Sequence, residues 1–191
     1  DTSAPVGAAV LSYSVAGTLV TETGIPSATP TNHARIYVDR SGGHNTGLAI
    51  AAPDASPIYV TLEAYQEDGA TRIGSGGCNL QGNGHDAEFA NEFIPTLPDG
   101  FTGVLDISSP SPFVALTLRS LNNSRNDFLL TTFPIADANQ PAPNPLIFPQ
   151  IADGGGYQTQ FILISTGSGS NATLNFFADD GTPLAIGKRG R

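Results

Sequence analysis

Along most of this chain apolar and polar side chains alternate with a period of two, the pattern of half-buried β-strands rather than of helices. Residues 8–15 place Val10, Ser12 and Ser14 on one side and Leu11, Tyr13 and Val15 on the other. Ala16-Gly17 turns the chain and residues 18–22 return, which predicts an N-terminal hairpin. Two strands alone are marginal, so this hairpin needs a host sheet. Residues 24–32 are rich in Pro, Ser and Thr and read as an extended linker. Further strands are expected at 34–39, 46–52, 59–66, 71–74, 103–108, 113–120 and 128–133. Gly42-Gly43 joins the first two of these, Asp68-Gly69 supplies the positive φ of a tight hairpin, and Ser109-Pro-Ser-Pro separates 103–108 from 113–120. The one expected helix lies at 86–93, capped by Asp86, with Phe89 and Phe93 on one face and Pro95 as its stop. Residues 137–145 form a second linker. The alternation assigns Ile36, Val38, Leu48, Ile50, Leu62, Phe89, Phe93, Val104, Leu116, Leu118, Leu130, Phe148, Phe161, Leu163, Leu174 and Phe176 to the core.

The pattern repeats. Gly42, Gly43 and Thr46 recur at a constant offset as Gly155, Gly156 and Thr159, and the apolar residues 48–51 correspond to 161–164. After the loss of one residue in the next loop, Thr61, Leu62, Asp68 and Gly69 recur as Thr173, Leu174, Asp180 and Gly181, with Tyr65 answered by Phe177. A fixed period over two segments signals a repeated module, and the second copy stops just after its first hairpin. Half a β-module exposes strand edges and one apolar face, so a completing element is expected. The expected organisation is therefore a hairpin and linker at 1–32, a complete module at 33–136, a linker at 137–145, and the opening half of a second module at 146–191. The fold class is all-β, with two immunoglobulin-like antiparallel sandwich units and one short helix.

Composition narrows the function. The 191 residues carry a net charge of −9, which opposes nucleic acid and anionic membrane as partners. No apolar run reaches membrane-spanning length. Charged residues make up only 13% while Gly, Pro, Ser and Thr abound, as suits short strands and many turns. Met is absent, so a start at Asp1 reads as a product of proteolytic maturation or of deliberate truncation. Cys78 stands alone and cannot form an internal disulfide.

At Leu48-Ala-Ile, Phe113-Val-Ala-Leu-Thr-Leu-Arg, Phe128-Leu-Leu-Thr-Thr-Phe-Pro-Ile-Ala-Asp and Phe148-Pro-Gln-Ile-Ala-Asp-Gly-Gly-Gly-Tyr the chain resembles secreted bacterial surface proteins built from tandem β-sandwich modules of about this repeat length. In that group Val10-Leu-Ser-Tyr-Ser-Val followed by Val20-Thr-Glu-Thr-Gly-Ile-Pro looks like the closing strands of a module. The resemblance implies an extracellular setting and an architecture, with no activity to transfer.

Catalytic chemistry finds no support in the residues. His33, His44 and His85 lack metal-ligand spacing, the glycine runs at 42–43 and 74–77 do not open a helix after a strand, and no Gly-x-Ser-x-Gly elbow occurs. Glu67-Asp68-Gly69 and Asp179-Asp180-Gly181 lack the ligand spacing of a calcium loop and read as hairpin turns. Cys78 reads as a small buried apolar residue. No catalytic residue, cofactor or metal is expected. Asn122-Asn-Ser and Asn171-Ala-Thr match glycosylation acceptors, and Tyr59 or Tyr157 could stack a sugar in a carbohydrate-binding module.

The favoured expectation is a structural protein of the cell exterior whose partner is another copy of itself, with glycans or cell surfaces as further partners. The N-terminal hairpin, through Val10, Leu11, Tyr13, Val15, Leu19 and Val20, would enter an acceptor sheet carrying Phe148, Phe161, Leu163, Leu174 and Phe176. Completion in trans is favoured over completion within one chain, and it grows a head-to-tail filament resembling a pilus. Seating Leu11, Tyr13, Val15 and Leu19 would contribute roughly 6 to 12 kcal/mol gross at 1.5 to 3 per buried side chain, before ordering and association costs. The alternative is a carbohydrate-binding or adhesion module cut from a larger secreted protein.

Overall fold

In the computed structural model, which describes residues 7–166 and 171–184, the chain is all-β with one helical turn. The strands are β1 (Ala8–Val15), β2 (Thr18–Pro26), β3 (Thr31–Asp39), β4 (His44–Ala51), β5 (Ile58–Tyr65), β6 (Arg72–Leu80), β7 (His85–Phe89), β8 (Thr102–Asn122), β9 (Phe128–Phe133) and β10 (Ala136–Asp137), and α1 (Ala90–Phe93) follows β7. All ladders are antiparallel.

Strands β3 to β10 form a sandwich organised around β8. Its first half lies between β3 and β5, with Ile107 opposite both Ala34 and Leu62. Its second half lies between β4 and β9, with Thr117 opposite both Leu48 and Phe133. One sheet thus runs β10-β3-β8-β5-β6 and the other β7-β4-β8-β9. The sequence pattern predicts two separate strands either side of Ser109-Pro-Ser-Pro. Instead a single strand passes from one sheet to the other there, because prolines interrupt a ladder without ending an extended chain.

The inner faces meet in a core of Ala34, Ile36, Val38, Leu48, Ile50, Val60, Leu62, Leu105, Ile107 and Phe113, all 2% exposed or less. Of the residues expected inside, Phe93 and Leu116 are also buried. Val104 is not. The inward residues are Leu105 and Ile107, because Asp106 must face outward to meet Arg35 and His33. Phe89, Leu118 and Leu130 are half-buried.

Four other expectations change. Residues 85–89 pair with β4 as a strand, so Asp86 caps nothing, and the helical turn starts after Phe89, whose N–H donates to the Glu92 carboxylate. Residues 75–80, beyond the strand expected at 71–74, continue β6: a Cβ on Gly76 would collide with the Phe93 carbonyl, so glycine there admits the helical turn. Gly42-Gly43 does not close a hairpin, since β3 and β4 belong to different sheets and the turn arches between them. The hairpin β1–β2 extends to Pro26, past the expected start of the linker.

Candidate assembly surfaces

The described residues of segment 146–184 repeat the main hydrogen bonds of two turns of the first module. At the arch the His44 N–H donates to Ser41 O at 2.8 Å, and the Tyr157 N–H donates to Gly154 O at 2.9 Å. Gly42 and Gly43 have φ of 56° and 84°, Gly155 and Gly156 of 58° and 91°. The Thr46 hydroxyl accepts from Asp39 N at 2.9 Å and donates to Asp39 O at 3.3 Å. Thr159 does the same with Ala152, at 3.0 and 2.9 Å. At the next turn Gly69 N donates to Gln66 O at 2.8 Å and Gly181 N to Ala178 O at 2.9 Å. Both aspartates of these Asp-Gly turns sit below the ordinary carboxylate range, Asp68 through hydrogen bonds from Thr71 and Asp180 through hydrogen bonds from Thr182.

The turns are there, but the sheets are not. Among the described residues of 146–184 the only pairings are the isolated bridges Gly154–Tyr157 and Phe177–Pro183. Phe148, Phe161 and Phe176 form a row of edge-on rings at 5.1 and 6.0 Å. Phe161 and Phe176 are half-buried, while Phe148, Leu163 and Leu174 are 47%, 45% and 45% exposed. The five expected acceptor residues are therefore brought into one segment, but they lie outside the core of the first module. The physical reason is visible in that module, where β3, β4 and β5 all depend on β8 for a ladder. No described strand plays that part for 146–184.

The N-terminal hairpin shares part of its register with β8–β9. Its pairs Leu11–Thr23, Ser12–Glu22 and Tyr13–Thr21 match Thr117–Phe133, Leu118–Thr132 and Arg119–Thr131 of β8–β9 in order. Sequence agrees: Ala9, Thr21 and Ile25 fall where β8–β9 and the residues after it have Ala115, Thr131 and Ile135. The match stops at a bulge between Tyr13 and Ser14, beyond which the two-residue turn Ala16-Gly17 replaces the longer loop of β8–β9. Val10, Leu11, Tyr13, Val15 and Leu19 remain exposed, and Val20 is half-buried.

The hairpin does not sit in segment 146–184. It lies beside the edge strand β9, with Tyr13 edge-on to Phe128 at 5.7 Å. The Thr21 hydroxyl takes both backbone groups of Leu130, at 3.2 and 3.3 Å, and Thr132 donates to Gly24 O at 2.6 Å. Side-chain hooks replace a ladder here, and alternation alone gave no sign of them, because Thr21 reads as an ordinary strand residue.

A charged tie closes the first module at the arch. The Arg119 guanidinium lies 2.8 Å from Asp39, whose carboxylate also accepts from the Ser41 N–H and hydroxyl. Burial alone would raise the Asp39 pKa, but Ser41 and Arg119 together hold it below the usual range. Tyr37, His44, Arg119 and Phe133 line one side of a cavity of about 910 Å³, and Phe148, Gln150 and Phe161 line the other. The remaining candidates are dispersed: His33 bonds Asp106 at 2.9 Å, and His85 is exposed. Tyr59 lies over Gly77, and Tyr157 is 72% exposed. Burial, with Asp86 and Glu88 nearby, raises the Cys78 thiol to about 11, so it carries almost no thiolate at neutral pH. Among the described residues no three His, Cys, Asp or Glu side chains gather as a metal site, and no helix is long and apolar enough to cross a membrane.

Comparison with protein-family models, curated proteins and solved structures finds no match.

Proposed function

We propose that this is a non-catalytic structural protein of the cell exterior, which assembles head to tail by placing its N-terminal hairpin in the opening half-module of another copy. The observation that carries the reading is a pair of complementary parts. Hairpin β1–β2 shares part of its register with β8–β9 and leaves its apolar side chains exposed. Segment 146–184 has the turns of an opening half-module and no described strand to close it. A contact of this kind is heterologous and does not close on itself, so it grows a filament.

Negative-stain microscopy and size-exclusion chromatography of the full chain test the reading. Polymers are expected, and removal of residues 1–22 should abolish them while the first module stays folded by circular dichroism and thermal melting. The hairpin added as a peptide should cap the growing end. Polymers that persist without residues 1–22 would refute donation by this segment. A stable monomer retained on polysaccharide would favour the carbohydrate-binding alternative.

A further inference from the structure

We infer that the donated hairpin enters the second copy in one fixed register, with Tyr13 opposite Thr159, Ser12 opposite Gln160, Leu11 opposite Phe161 and Ala9 opposite Leu163. This rests on the strand-donation reading and adds the residue pairing at the joint. The acceptor phase is set by the arch, where Thr159 grips Ala152 as Thr46 grips Asp39. The donor phase is set by the recurrence of Ala9, Thr21 and Ile25 as Ala115, Thr131 and Ile135, an alignment that the registers of β1–β2 and β8–β9 both satisfy. Within the first module β4 meets β8 as Thr46–Arg119, Gly47–Leu118, Leu48–Thr117 and Ile50–Ala115. Carrying both phases across gives the four pairs above.

The side chains at those positions have changed together. Leu48 with Thr117 becomes Phe161 with Leu11 on the inward face, and Gly47 with Leu118 becomes Gln160 with Ser12 on the outward face. Most tellingly, the Asp39–Arg119 ion pair is gone on both sides at once: Ala152 stands in place of Asp39, and Tyr13 in place of Arg119. A hairpin of the β8–β9 kind placed in the half-module would bring Arg119 to a site with no carboxylate. Tyr13 in the first module would leave the buried Asp39 carboxylate without its guanidinium. The change thus makes each closing hairpin specific for its own opening half. A slip of one residue would turn Leu11 to solvent, so the register is strongly fixed. Donation requires release from β9, where the Thr21 and Thr132 hydroxyls, one ring contact and the packing of β2 along β9 hold the hairpin.

The test uses full-length chains with Cys78 replaced by Ala. A chain carrying Ser12→Cys is mixed with a chain carrying Gln160→Cys, polymerised under mild oxidation and run on a non-reducing denaturing gel. Both positions are exposed and polar, so the substitutions leave the core untouched. A cross-linked dimer is expected in roughly tenfold excess over that formed from Ser14→Cys with Gln160→Cys, a pair displaced by two residues and beyond disulfide reach. Polymers in which the displaced pair cross-links as well or better would overturn the register while leaving strand donation standing. If a chain carrying both Ser12→Cys and Gln160→Cys cross-links only within itself and stays monomeric, the hairpin closes its own chain and the proposal falls. Absence of polymers from the unmodified chain would remove strand donation and the register together.

Discussion

The first module and segment 146–184 share their turns and differ in whether a central strand closes them. In the module, β8 gives ladder partners to β3, β4, β5 and β9, and Leu62 and Leu48 are fully buried. In the segment, the equivalent Leu174 is 45% exposed and Phe161 half-buried, although the arch at Gly155-Gly156 keeps the φ values of Gly42-Gly43. The comparison teaches that turn chemistry in this fold is local and self-sufficient, whereas strand identity is conferred by the partner. Asp-Gly and Gly-Gly hold their conformation through hydrogen bonds within a few residues. A strand in a sandwich exists only where another lies beside it.

Equivalent substitutions in the two regions sharpen the contrast. Leu62→Ala should cost about 2 to 5 kcal/mol in chemical denaturation of the unassembled chain, because it opens a cavity in a closed core. Leu174→Ala should leave that transition unchanged within error and weaken assembly instead. Equal losses at the two sites in the monomer would show that the segment is already closed.

The ion pair gives a smaller effect. Asp39→Asn should cost about 2 kcal/mol, since it removes charge-assisted hydrogen bonds and leaves Arg119 without its carboxylate. The folded pKa of Asp39 is depressed, so its contribution is present at neutral pH and is lost as pH falls below about 4, through the lower folded value. Wild-type stability should therefore decline in acid with a steeper slope than that of Asp39→Asn, measured by urea denaturation between neutral pH and pH 3. Parallel slopes would show that Asp39 is not a source of the acid sensitivity.

The arches give a third comparison. Gly43 has positive φ, and a Cβ there would lie 2.8 Å from Asn122 O, whereas at Gly156 the φ is also positive but nothing lies within 4 Å. Gly43→Ala should cost about 2 kcal/mol or more from backbone strain and the clash together, and should lower the melting temperature of the module. Gly156→Ala carries only the strain of about 1 kcal/mol, confined to a segment outside the module core, and should not move that melting temperature.

The period of two gave most strands of the first module to within a few residues, and the recurrence of Gly-Gly, Thr and Asp-Gly placed equivalent turns in both copies, because these signals act between near neighbours. The same reasoning put Val104 inside, read residues 86–93 as a helix, stopped β6 at Gly74 and divided β8. Those errors share a cause. Which way residues 102–108 face is settled by Asp106 finding Arg35 and His33, the β6 glycines by the approach of Phe93, and the continuity of β8 by strands from two sheets pairing along it. The candidate surfaces divide in the same way. Exposure of the donor apolar residues follows from a two-stranded hairpin having one face too many, which alternation can state. The matched registers of β1–β2 and β8–β9, the Thr21 hooks on Leu130, and the exchange of Asp39–Arg119 for Ala152–Tyr13 became visible only once the fold had set distant residues opposite one another. Pairing across a sheet depends on residues that sequence order does not bring together, and there tertiary structure alone decides.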